Sequence, residues 1–281
     1  MNHLISITKS DGTTQLFEEE KLVSSLKRVG APQETIDEII DEVEKNMHDG
    51  MTTDQIYHQA FALLHRHSHH LAVKYSIRRA LIELGPDGFP FEKFVAKVFN
   101  FWGYETKTDQ TLLGTCITHE VDVVAWNTEK LIFVEAKFHN EFGMKSDSKV
   151  ALYIEARRED LAGTDFDYGG IKRKISEFWL VTNTKFTDQA ITYSECNGLK
   201  LLGWNYPAVD NLHDIIEKNK LHPITCITTL SHQQKKDLVG RNILTCADLI
   251  HSPQVLEQIG VKGEFVQKVV DEAKIIIEVA K

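Results

Sequence analysis

Apolar residues recur along this chain in two rhythms. Through most of 19–84 they fall three and four apart, which predicts helices. Leu22, Val23, Leu26 and Val29 mark one at 19–30, ended by Gly30 and by Pro32, which cannot continue it. Ile36, Ile39, Ile40 and Val43 mark a second at 32–47, with an acidic face that reads as solvated surface. A third at 54–65 is expected to be capped by Thr53, and a fourth runs over 69–84. Before them, strand-like 4–7 and 13–17 flank Lys9-Ser10-Asp11-Gly12, a hairpin with an Asp-Gly turn. The second rhythm has no helical period. Val121-Asp122-Val123-Val124-Ala125 and Leu131-Ile132-Phe133-Val134-Glu135-Ala136-Lys137 are β-branched, apolar runs around a polar turn, Trp126 to Lys130, and predict a strand hairpin.

Three charges interrupt that second pattern. A buried carboxylate is costly unless it is paired or holds a metal. Glu135 and Lys137 are two apart on one strand and share a face, and Asp122 joins them from the neighbouring strand. Two carboxylates and an ammonium on one face suit a hard divalent cation and an activated water.

Gly85-Pro86-Asp87-Gly88 is a break between domains. Beyond the hairpin, 146–160 is expected to be a long helix across the sheet face, and 163–170 a mobile loop over the active face. A Pro-flanked connector helix lies within 205–223. Helices follow at 231–239, 245–250, 254–259 and 265–280.

Composition narrows the picture. The length of 281 residues suggests two or three domains. No run of about 18 apolar residues implies a membrane span, and Met1-Asn2-His3 leads into a strand without a signal peptide. Cys116, Cys196, Cys226 and Cys246 lack CxxC spacing, which fits a reducing cytoplasm and argues against a cysteine zinc site. His65 and His69 have i, i+4 spacing, but at a predicted helix break and without an HExxH pattern, so the His-rich stretch reads as a solvated turn. The net charge of −9 weighs against nucleic-acid binding. Residues 220–281 depart from it, with eight Lys and Arg against seven Asp and Glu.

Asp122 followed by Glu135-x-Lys137 resembles the PD-(D/E)xK nuclease signature, with Val121 where the family usually has Pro. Gly88 to Phe99 with Gly103-Tyr104-Glu105 resembles the first helix and strand of its Mrr-like restriction endonuclease branch, in which the helix Glu, here Glu92, faces the metal site. Leu180 to Ala190 and Leu199 to Trp204 are similar to its closing strand, helix and strand. Ile7-Thr8-Lys9-Ser10-Asp11-Gly12, Phe17 to Leu22, Gly50 to Ile56 and Ala72 to Arg79 resemble the ATP-cone. That resemblance implies phosphate contacts from Lys9, Lys21 and Arg79, although the family's basic residue after the Lys is Ser10 here. Leu256 to Gly263 and Val270 to Ala273 look like a helix-hairpin-helix element, in which Gly260 and Gly263 would let backbone amides approach phosphate and Lys262 and Lys268 would add charge.

The expected fold class is α/β: a restriction-endonuclease-like mixed sheet flanked by helices, with a mostly helical ATP-cone before it and an all-α module after it. The expected domains are 1–85, 86–210 and 211–281. The resemblances imply a cytoplasmic, metal-dependent endodeoxyribonuclease in restriction or repair, regulated by ATP or dATP. Asp122 and Glu135 would hold Mg²⁺ or Mn²⁺, Lys137 would orient and help deprotonate the water, and Glu92 would complete the catalytic set. Arg157, Arg158, Lys172 and Arg173 are the further candidates for DNA phosphate contacts. One active site cuts one strand, so double-strand cleavage would favour a homodimer. The alternative is a non-catalytic, nucleotide-responsive DNA-binding regulator.

Overall fold

Leu22, Leu26, Ile36, Ile39, Ile40 and Val43, spaced for helices, all lie in one buried cluster. The computed structural model, which describes residues 5–9, 12–141 and 143–278, places that cluster in the smaller of two units. The smaller unit runs up to Arg79 and the larger from Ala80 onward.

The smaller unit begins with an antiparallel pair, β1 (Ser6–Thr8) and β2 (Thr14–Leu16). Ser10 and Asp11 of the predicted turn, and Met1 to Leu4, lie outside the described residues. Four helices follow: α1 (Glu19–Arg28), α2 (Gln33–Asn46), α3 (Thr53–His67) and α4 (His69–Ile82). Gly30 adopts φ 81°, a left-handed conformation that costs other residues energy, and reverses the chain before α2. The cap of α3 is Thr52 rather than the expected Thr53. Thr52 is extended, its hydroxyl accepts from the Gln55 amide at 3.1 Å, and the Gln55 side chain accepts from the Thr52 amide at 2.8 Å.

The larger unit starts with α5 (Phe89–Phe101), then β3 (Glu105–Leu113), β4 (Thr118–Trp126), β5 (Leu131–Lys137) and β6 (Lys145–Ser146). It continues through α6 (Ser148–Ala162), β7 (Phe166–Tyr168), β8 (Ile171–Arg173), β9 (Glu177–Thr182), β10 (Lys185–Phe186), α7 (Asp188–Asn197) and β11 (Lys200–Leu202). Five strands form a central mixed sheet in the order β11-β9-β5-β4-β3. The hairpin strands β3, β4 and β5 are antiparallel, whereas β5, β9 and β11 are parallel. Helix α5 covers one face, with the Phe99 ring edge-on to Trp179 at 5.6 Å. On the other face, Ala151, Ile154 and Leu161 of α6 and Ala190 of α7 pack against Phe133, Phe178 and Leu180. Each buried Phe contributes roughly 1.5–3 kcal/mol of transfer free energy.

Two expectations need correction. Ser146 is not helical. It sits in β6, and α6 begins at Ser148 because the Asp147 carboxylate accepts from the Lys149 and Val150 amides. The stretch 163–170 is not a loop over the active face. Phe166 and Tyr168 alternate inward on β7, and Gly169 and Gly170, at φ 66° and 73°, make a two-residue turn into β8. This ribbon packs on the Trp126 end of the β4–β5 hairpin: Tyr168 lies 5.0 Å from Trp126, and Arg173 donates to the Asn127 and Thr128 carbonyls. Glu135 is four residues further along β5 than Leu131, roughly 13 Å from that end.

Helices α8 (Leu212–Lys218), α9 (His232–Gly240), α10 (Cys246–His251), α11 (Val255–Gln258) and α12 (Glu264–Glu278) complete the unit. The predicted last helix extends to 280, where its final two residues lie outside the described ones. The Glu272 carboxylate in α12 accepts from the amides and hydroxyls of both Thr228 and Thr229, at 2.5–3.1 Å. Burial alone would raise its pKa, but these four bonds leave it lowered. Among the described residues, no helix is long and apolar enough to cross a membrane.

Candidate functional site

Asp122 sits where both of its strand ladders open. The β4–β5 ladder ends at Val123↔Val134. The β3–β4 ladder is interrupted between Thr108↔Val123 and Gln110↔Val121, at Asp109, whose φ is 56°. The Asp122 carboxylate takes up the freed amide of Ala136 at 2.7 Å. Glu135, one residue back, is bonded by the Arg157 guanidinium of α6. Lys137 ends β5 with an exposed side chain, and its carbonyl accepts from the Thr182 hydroxyl at 2.8 Å.

The electrostatics couple these groups. Burial, then the Asp122 charge, pushes the Glu135 carboxyl up to about 7, against the opposing pull of Arg157 and Lys137. Burial, then Asp122, pushes Glu92 of α5 up to about 7 as well. Asp122 itself is raised by burial, opposed by the Ala136 amide and by Arg157. Glu92, Asp122, Glu135 and Lys137 therefore share one electrostatic neighbourhood. Among the described residues, however, no three His, Cys, Asp or Glu side chains group closely enough to hold a metal by themselves.

Sequence reasoning missed the supports of this site. Fully buried Asn183 accepts from the His139 amide at 2.8 Å and donates to its carbonyl at 2.7 Å, fixing the chain just past Lys137. Asp160 accepts from the amides of Cys116 and Ile117 and faces His119 Nε2 at 2.8 Å, anchoring the β3–β4 turn to α6. The His119 bond and the two amides hold its pKa at about 2. A Cβ on Gly114 would lie 2.3 Å from Asp160 Oδ2, so this approach requires glycine.

The candidate phosphate contacts scatter. Arg157 faces Glu135 within the site, Arg158 pairs with Glu155 one turn away, and Arg173 is taken up by the hairpin carbonyls. Lys172 is exposed on β8. Gly260 and Gly263, at φ 84° and 62°, have open space where a Cβ would stand, and Lys262 and Lys268 beside them are exposed. In the smaller unit, a cavity of about 180 Å³ is lined by Lys21, Ser25, Tyr57 and Tyr75, among others. Tyr57 stacks on Tyr75 at 5.2 Å, and the Arg79 guanidinium lies 4.8 Å from the Tyr57 ring centroid on its way to Asp54. Lys9 and Arg79 do not line this cavity, and Lys9 is exposed after β1. Sequence reasoning missed these two aromatic rings, although Tyr75 falls within the Ala72-Val73-Lys74-Tyr75 stretch that resembles the ATP-cone. The predicted break is present, since Ser68 is extended at φ −158° between α3 and α4, although His65 Nε2 and His69 Nδ1 still meet each other at 2.8 Å.

Residues 5–81 match the ATP cone domain, and residues 222–277 match the AF1548-like C-terminal family. An uncharacterized protein of Archaeoglobus fulgidus is 32% identical over 184 residues, which span 65% of this chain and 99% of that protein. A solved structure, that of the protein of unknown function AF1548, is 31% identical with a TM-score of 0.56, over 68% of this chain and 99% of that one.

Proposed function

The chain belongs to the AF1548-like family, with an ATP-cone domain at its N-terminal end, and we propose that it is a metal-dependent endodeoxyribonuclease of the Mrr-like PD-(D/E)xK kind. One observation carries the proposal. The Asp122 carboxylate and the half-buried Glu135, whose pKa it raises, lie on neighbouring strands where the sheet ladders part, and Lys137 stands two residues beyond Glu135 on the same strand.

The residues suit a hard divalent cation such as Mg²⁺ or Mn²⁺. The donors are all carboxylate oxygens, and their mutual repulsion in a partly dry site is what such a cation relieves. Asp122 and Glu135 would hold it, and Glu92 adds negative potential from α5. When bound there, it would supply Lewis-acid chemistry for a phosphodiester.

The chain's own residues supply the rest. Lys137 presents an ammonium whose positive charge would orient the attacking water, favour loss of its proton to bulk solvent, and shield charge on the phosphate. The Ala136 amide fixes the Asp122 rotamer, and the Asn183–His139 clamp keeps the end of the Lys137 strand rigid. The open glycine hairpin with Lys262 and Lys268 would hold DNA by its backbone, and double-strand cutting would favour a second copy of the chain.

The ATP-cone match supports nucleotide binding. ATP or dATP would enter the Tyr57–Tyr75 cavity, with Lys21 at its wall and Lys9 and Arg79 contributing charge. Its binding would then change access to the nuclease site. The competing reading is a non-catalytic, nucleotide-responsive DNA-binding regulator. DNA incubated with Mg²⁺ and either the parent protein or Lys137→Ala separates them: cleavage by the parent that is lost in the variant is expected, cleavage by both refutes the role of Lys137, and cleavage by neither favours the regulator.

A further inference from the structure

Arg157 holds a Glu135 oxygen that a cation on that carboxylate would need. Its guanidinium donates to the Glu135 carboxylate, to the Glu120 carbonyl at 2.8 Å and to the Tyr153 hydroxyl at 3.2 Å. Its side chain is only 10% exposed and that of Glu135 18%. A divalent ion on Glu135 beside this guanidinium would meet a like charge within a few ångströms, at low local dielectric. Arg157 and the ion therefore compete for one carboxylate.

A second feature points to what displaces it. Arg157 Nε is buried and, among the described residues, has no hydrogen-bond acceptor. A guanidinium with an unsatisfied donor beside an occupied one has the fork that a phosphodiester accepts through its two free oxygens. Nε itself is buried, so the guanidinium would have to swing toward the groove of about 610 Å³ that Arg157 lines with Tyr153, His119 and Thr118 to meet a phosphate.

The geometry points to Arg157 as a substrate-released gate: it holds Glu135 until a DNA phosphate takes over the guanidinium, and only then does Glu135 accept the divalent cation. The inference rests on the nuclease reading of the same site. DNA and cation then bind with positive coupling, and the protein does not load metal when no DNA is present. A purely structural ion pair predicts no such coupling.

The test is Mn²⁺ binding to the full chain, followed by the electron spin resonance signal of free Mn²⁺, with thermal melts confirming folding. Without DNA, Arg157→Gln should bind Mn²⁺ at least about tenfold more tightly than the parent, and Glu135→Gln should lose binding. In a Lys137→Ala background, which keeps the duplex intact, adding a DNA duplex should tighten Mn²⁺ by about tenfold, and adding Arg157→Gln should abolish that gain. If Arg157→Gln does not fold, Arg157→Lys decides: it keeps the charge but lacks the fork, so Mn²⁺ affinity without DNA stays near the parent's while the DNA-induced gain shrinks. Equal Mn²⁺ affinity in parent and Arg157→Gln overturns the gate and leaves the metal site standing, as does an undiminished DNA-induced gain in Arg157→Lys. Absence of Mn²⁺ binding from every protein, with and without DNA, overturns the metal reading and the gate together.

Discussion

The Asp122 carboxylate accepts the Ala136 amide at 2.7 Å, one position past the last ladder pair of the β4–β5 hairpin. A side chain thus stands in for a carbonyl where the two strands diverge, and the same atom group is the proposed metal ligand. Asp122→Asn keeps an acceptor there, whereas Asp122→Ala strands a partly buried amide. Thermal or denaturant melts should show Asp122→Ala less stable by about 1–3 kcal/mol and Asp122→Asn nearly unchanged. Both should lose Mg²⁺-dependent cleavage. Equal stability of the two variants would show that the hydrogen bond contributes nothing.

Glu92 gives a pH signature. Its folded pKa, about 7, lies above the ordinary carboxylate value, so the folded state binds more protons than the unfolded one between those values. Stability from this group is therefore full below about pH 4.5 and is lost as pH rises through about 7. Glu92→Gln should flatten that dependence, making the variant more stable than the parent at about pH 8 and not at about pH 4. Parallel melts at both pH values decide it, and a constant difference between the two proteins contradicts the raised pKa.

Asp160 has the opposite sign. Its pKa of about 2 lies below the usual value, so its contribution is present above about pH 4 and is lost as pH falls through about 2. Asp160→Asn should weaken the β3–β4 turn at neutral pH, read as faster amide exchange at Cys116 and Ile117. Unchanged exchange rates there would remove Asp160 as the anchor.

Glu272 ties the last helix to Thr228 and Thr229 through four hydrogen bonds. Truncation to Ala leaves two amides and two hydroxyls without that acceptor, and should cost roughly 2–4 kcal/mol in chemical denaturation. A loss below about 0.5 kcal/mol would mean that water replaces the carboxylate without penalty.

In the smaller unit, Tyr57→Ala removes the ring between Tyr75 and Arg79. Calorimetric titration with ATP and dATP should show weakening of about tenfold or more in that variant. Binding equal to the parent's would place the nucleotide elsewhere.

Much of this fold is written locally in the chain. The strand hairpin is visible because Val123, Val124, Ile132, Phe133 and Val134 form apolar runs with no helical period, and the buried helix stripes follow from three-and-four spacing. Arg157 is different. In Glu155-Ala156-Arg157-Arg158-Glu159-Asp160 its charge looks like any solvated helix face. Only the packing of α6 over Phe133 and Leu180 brings it to Glu135, 22 residues away in sequence. Asp160 and Asn183 are hidden for the same reason, since their partners are 41–44 residues distant. The β7–β8 ribbon did carry a local signal, in the alternation of Phe166 with Tyr168 before Gly169-Gly170. Two glycines in sequence read equally well as a loop.

Cleavage of supercoiled plasmid DNA with Mg²⁺ or EDTA, by the parent protein and by Glu135→Ala side by side, tests the central claim most directly. Nicking that needs Mg²⁺ and disappears in Glu135→Ala is the predicted result. DNA shifted on a gel but left intact by the parent, with Mg²⁺ present and with or without ATP or dATP, contradicts the nuclease and favours the regulator.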